Sequence, residues 1–102
     1  MSTLHTVNKS PFERNSLCTC FGHICAGDAV LMIEDGVIGA RKGATTAAMV
    51  QAALQKGKVY ALAPDLAARG IKPADVIDGI QLVDYGGFVD LVTQHGRTVP
   101  WL

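Results

Sequence analysis

The run Asp28-Ala-Val-Leu-Met-Ile33 has a charge at its start and no polar break after it. A strand with one wet face alternates apolar and polar residues, whereas an unbroken apolar run belongs to a strand covered on both sides, as in a parallel sheet. Parallel neighbours cannot be joined by a hairpin and need crossover connections, usually helices. The remaining sequence supplies such an alternation. Leu4-His-Thr-Val7 reads as a short strand, Lys58-Val-Tyr-Ala-Leu-Ala63 as a third strand halted by Pro64, and Ile80-Gln-Leu-Val-Asp84 as a fourth.

Helix signals fall between them. Ser10 and Glu13 flanking Pro11 match a capping box, which predicts a helix from Pro11 to about Cys25, ended by Gly27. Gly43-Ala-Thr-Thr opens a second helix with Met49, Val50, Ala53 and Leu54 on one stripe and Gly57 as its stop. Asp65–Gly70 is about one helical turn, and Lys72–Gly79 adds another short turn. Phe88, Leu91, Val92 and His95 define a last helix closed by Gly96, and Arg97–Leu102 is either an edge strand or an extended arm. Strands alternating with helices predict a single α/β domain over residues 1–102, a small open and mainly parallel sheet with helices on both faces.

Composition narrows the function. With 102 residues the core is modest, yet 49% of residues are hydrophobic and only 18% charged, which predicts apolar surface covered by another subunit. Nine basic and nine acidic residues cancel, so no basic field exists for direct nucleic-acid binding. The N-terminal residues lack a signal-peptide pattern, and no apolar run is long enough to span a bilayer. The expected location is cytoplasmic, with no membrane partner. Three cysteines in a reducing compartment would remain thiols.

All three lie in Cys18-Thr-Cys-Phe-Gly-His-Ile-Cys25. On a helix each residue turns by about 100°, so Cys18 and Cys20 point about 160° apart and cannot share a metal. No second cysteine pair exists elsewhere, and neither a metal nor another cofactor is expected. Leu17, Phe21 and Ile24 form the apolar stripe, with Cys25 near it as a small core filler. Cys20 falls on the flank shared with Ser16 and His23, where a partly exposed thiol beside an imidazole would favour thiolate. Simple burial of the same thiol is the competing reading. His5 and His95 read as packed, satisfied histidines. The glycine-bearing stretch Asp35–Thr46 departs from a phosphate loop, since Arg41 precedes Lys42 and Gly43 follows it, and it reads as an ordinary loop that caps its helix with Thr45 or Thr46.

Leu4-His-Thr-Val-Asn-Lys-Ser-Pro-Phe12, Gly27-Asp-Ala-Val-Leu-Met-Ile-Glu-Asp-Gly-Val37, Tyr60-Ala-Leu62 with Asp65 and Ala68-Arg-Gly70, and Asp84-Tyr-Gly-Gly-Phe-Val89 together resemble the TusB/DsrH family of sulfur-relay subunits. The cysteines of the first helix make the chain most similar to the DsrH branch of sulfur-oxidising bacteria. The resemblance implies a DsrE/F-like fold and assembly with DsrE-like and DsrF-like subunits as a heterohexamer with two copies of each. It also implies transfer of sulfur to a DsrC-like carrier. Cys20 matches the branch's candidate persulfide thiol, while the principal sulfur-carrying cysteine belongs to the DsrE-type partner. The TusB branch implies tRNA thiolation instead. A non-catalytic docking subunit is the alternative role for the chain, and the tail at Trp101-Leu102 is expected to pack against a partner or the domain's own edge.

Overall fold

A computed structural model describes residues 2–102. Five strands, β1 (Thr3–Val7), β2 (Ala29–Met32), β3 (Lys58–Leu62), β4 (Gln81–Val83) and β5 (Arg97–Trp101), form one sheet in the order β4-β3-β2-β1-β5. Every neighbouring pair is parallel. The tail is therefore the edge strand of the two alternatives, and it tolerates Pro100 because an edge position leaves one side of the backbone unpaired.

The helices divide unequally between the two faces. Helices α1 (Ser16–His23), α2 (Ala47–Leu54) and α3 (Ala63–Ala68), with a 3-10 segment at Glu34–Ala40, cover one face. Val7, Val30, Met32, Val59 and Ala61 point into that layer, where they meet Leu17, Cys20, Phe21, Val37, Val50 and Leu66. The opposite face carries Leu4, Ala29, Leu31 and Tyr60 under a single helix, α4 (Tyr85–Gln94), through Leu91 and Phe88. Period-2 alternation thus sends adjacent residues of β1 and β2 into different cores, which is why Asp28–Ile33 shows no polar break.

Several boundaries differ from the sequence reading. Helix α1 begins at Ser16, not Pro11. Ser10 caps only an isolated turn: its Oγ accepts from the Phe12 N–H at 3.2 Å, and its carbonyl accepts from Glu13 and Arg14 at 3.0 Å each. Phe12, Glu13, Arg14 and Asn15 are all exposed, so a helix there would bury nothing, and the packed face starts at Leu17. The stretch Glu34–Ala40, read as loop, is a 3-10 helix, and Thr46 donates to the Gly39 carbonyl instead of capping α2. Helix α4 starts at Tyr85 because Asp84 accepts from the Gly87 N–H at 2.7 Å.

The 3-10 segment crosses the end of β1 closely. A Cβ at Gly36 would sit 2.1 Å from the Val7 carbonyl oxygen, which is backbone and cannot yield. Gly36→Ala should therefore destabilise the fold by about 2–3 kcal/mol, read as a lowered urea midpoint with an unchanged slope.

Candidate functional site

The site is built around Asp28, which stands where the α1 exit turns into β2. Asp28 is buried, and its carboxylate collects three donors, two from β1 and one from the α1 exit. Oδ1 accepts from the Thr3 N–H at 2.9 Å, and Oδ2 accepts from the Cys25 N–H at 3.0 Å and from His5 Nε2 at 3.1 Å. Trp101 Nε1 lies 3.0 Å from the other ring nitrogen of His5. An indole N–H can only donate, so His5 Nδ1 accepts and Nε2 carries the proton given to Asp28. One continuous chain of hydrogen bonds therefore links β2, β1 and β5. Burial pushes the Asp28 carboxyl up, but the Cys25 and Thr3 amides and the His5 ring outweigh it and hold the group below its ordinary value.

Cys20 is not at the helix border. It is 0% exposed, within the core with Leu17, Phe21 and Ile24, because the flank that the helical wheel left open faces a cluster that includes Val7 of β1 and against which Trp101 of β5 packs. Burial first, and the Asp28 charge second, push its thiol from 9.0 to about 12. At neutral pH the thiol is held in its protonated form. His23 does not change this: its Nδ1 donates to the Thr19 carbonyl at 2.8 Å, and its ring is exposed and faces Trp101 at 5.4 Å between centroids.

Of the other thiols, Cys25 departs from expectation. Cys25, expected as a core filler, is exposed because α1 ends at His23 and the chain has already turned outward. Cys18 is also exposed and lines a cavity of about 220 Å³ between α1 and α2 with Phe21, Met49 and Lys56. Among the described residues no three His, Cys, Asp or Glu side chains converge on one point as metal ligands would. His5 is a satisfied buried histidine. His95 is half-buried, with Ser2 Oγ 2.8 Å from its Nδ1.

Sequence reasoning missed Asp28 and Ser16. The signal for Asp28 was available, since a carboxylate opening a strand covered on both faces must find buried donors. Ser16 donates to the Leu102 carbonyl at 2.9 Å across 86 residues, a contact with no local signal.

A small all-parallel α/β sheet with one thiol enclosed beneath its last strand defines the class to which comparison can be made. The family profile described as "DsrH like protein" matches residues 9–98. The protein TusB of Pectobacterium parmentieri is 33% identical over 98 residues, covering 96% of this chain and 99% of that protein. TusB of Escherichia coli K12 is 34% identical over 98 residues with the same coverage. The crystal structure of the Escherichia coli ychN protein superposes with a TM-score of 0.80, covering 98% of this chain and 99% of that one at 15% identity, which shows the shared fold. The chain belongs to the DsrH/TusB family, the family of sulfur-relay subunits that its own motifs resemble. Among the described residues no helix is long and apolar enough to cross a membrane.

Two pH effects follow from the site. Asp28 ionises more readily folded than unfolded, so its stabilisation is present above the ordinary carboxylate value of 3.8 and is lost as pH falls through its lower folded value. Asp28→Asn should lower stability at pH 7 by about 1.5–3 kcal/mol and flatten that acid limb in urea titrations, because an amide NH₂ in place of one oxygen would oppose at least the Thr3 donor and the charge would be lost. Cys20 acts in the other direction. Between pH 9.0 and about 12 the folded chain keeps a proton that the unfolded chain releases, so stability falls as pH rises through that window. Cys20→Ala should remove this part of the alkaline slope, measured by urea unfolding at pH 8 and pH 10.

Proposed function

We propose that the chain is a subunit of a cytoplasmic persulfide-relay complex and that, in the closed form described above, it contributes structure and docking. The observation that carries this reading is the enclosure of Cys20, with its thiol pushed up to about 12, in a family whose members serve sulfur relay. A nucleophile in sulfur transfer needs thiolate and access, and the closed chain offers neither. Partner association is supported by Tyr85, Val89 and Val92, which form an exposed apolar stripe along the outer side of α4 at 60%, 61% and 42% exposure. The partners in this reading are DsrE-like and DsrF-like subunits in a heterohexamer, with a DsrC-like carrier as the sulfur acceptor. The cysteine of the DsrE-type subunit carries the main traffic. The presence of Cys20 supports sulfur oxidation over the tRNA-thiolation branch.

A second reading gives Cys20 the role of accessory persulfide carrier. It is favoured by the position of this thiol on the stripe of α1 that meets the terminal residues of the chain, a cover made of one edge strand. The Cys20 thiolate would attack the terminal sulfur of a donor persulfide; the donor S–S bond breaks, the donor leaves as thiolate, and Cys20 becomes the persulfide. A second thiolate then takes the same sulfur and returns Cys20 to the thiol state.

Mass spectrometry of each cysteine after incubating the assembled complex with a persulfide donor separates the two. The docking reading expects no extra sulfur on Cys20 and wild-type transfer rates in Cys20→Ser. Sulfur on Cys20, with transfer slowed at least tenfold in Cys20→Ser, would overturn it in favour of the carrier.

A further inference from the structure

Ser16, Cys20 and His23 are four and three residues apart, which places them within about 60° of one another on α1. The two outer members of this stripe both touch the end of the chain. Ser16 Oγ donates to the Leu102 carbonyl at 2.9 Å, and the His23 ring faces the Trp101 ring at 5.4 Å. The middle member, Cys20, is 0% exposed, and Trp101 packs against the core cluster that holds it. The last two residues thus span the stripe on both sides of the thiol.

What holds them there is sparse. Trp101 has the register contact with Val7, the indole hydrogen bond to His5 Nδ1, the His23 ring and one side against the core cluster; Leu102 has the bond from Ser16 and is otherwise 76% exposed. Pro100, next to them, has no N–H to add to the ladder. Strand β5 pairs on one side only, at the edge of the sheet. Edge segments with few buried contacts open locally at far lower free energy than the fold as a whole.

We propose that Trp101-Leu102 is a strap closed over Cys20, and that its local release, with the sheet and α1 intact, is what admits reagents to this thiol. The inference extends the carrier reading of Cys20, since a gate matters for relay only if sulfur reaches the gated atom. Two polar contacts act as the latch: the indole N–H on His5, itself held by Asp28, and the Ser16 hydroxyl on the terminal carbonyl.

The test uses the full chain carrying Cys18→Ser and Cys25→Ser, so that Cys20 is the only thiol, with iodoacetamide as the probe across a range of urea below the unfolding transition. Labelling is expected to be at least a hundredfold slower than for an exposed thiol. Its urea dependence should be less than half that of global unfolding, because a strap exposes little surface when it opens. Trp101→Phe combined with Ser16→Ala removes both latch bonds and keeps an aromatic ring. It should accelerate labelling at least tenfold beyond any change in the global unfolding constant, measured in parallel by circular dichroism. Labelling that follows global unfolding in urea, or an acceleration no greater than the loss of stability, would overturn the strap. The wild-type urea series decides the matter even if the double variant folds poorly. Strap-dependent labelling together with a complex that never places sulfur on Cys20 would remove the carrier reading alone.

Discussion

The carboxylate of Asp28 is the interaction on which the arrangement of the first, second and last strands depends. A buried carboxylate is tolerated only when its lone pairs are occupied, and this one is served by the Thr3 amide of β1, the Cys25 amide at the exit of α1, and the His5 ring. Two of these donors come from β1 and one from the α1 exit, so the charge fixes where β1 starts, where α1 must stop and which way His5 faces. The last choice reaches further. With its Nε2 proton committed to Asp28, His5 offers Nδ1 as an acceptor, and the Trp101 indole supplies the matching donor from β5. An edge strand that lacks neighbours on one side thereby gains a side-chain anchor in the middle of the sheet.

The strands were legible in the sequence because both faces of the sheet are covered. Asp28–Ile33 and Lys58–Ala63 show the continuous apolar character that such coverage demands, and the observed β2 and β3 lie within them. The start of α1 was not legible. Ser10, Pro11 and Glu13 satisfy every local condition for a helix start, but local propensity yields to burial, and the residues after Pro11 have nothing to pack against. The same gap explains the thiols. Helical geometry correctly grouped Cys20 with Ser16 and His23, but whether that flank faces water depends on β5, more than seventy residues away in the chain. Cys25 was misplaced for a simpler reason: it lies outside the helix whose wheel was used to place it.

The two faces of the sheet also differ in how complete they are. One is sealed by three helices and a 3-10 segment; the other rests on α4 alone, whose inner side supplies Leu91 and whose outer side presents Tyr85, Val89 and Val92. A chain with nearly half its residues hydrophobic and only 102 residues cannot bury them all in two thin layers. Part of the surplus, Tyr85, Val89 and Val92, is gathered along one helix, while Phe12, Leu82 and Leu102 are exposed elsewhere; the gathered part is the kind of patch that a partner covers.

Cys20 brings these elements together, because the causes that suppress its reactivity belong to different parts of the structure. Burial is the larger, and it comes from a core cluster against which Trp101 of β5 packs; the Asp28 charge is the smaller, and it belongs to the anchor that holds β5 in place. Moving Trp101 and Leu102 aside would relieve part of the first and leave the second. A thiol so exposed would regain access and part of its ordinary acidity while a carboxylate nearby still disfavoured its anion. Position of the strap and nucleophilicity of the thiol are therefore coupled. The side chains that couple them are Trp101, His5, Asp28 and Ser16, not the imidazole of His23 that lies nearest in sequence.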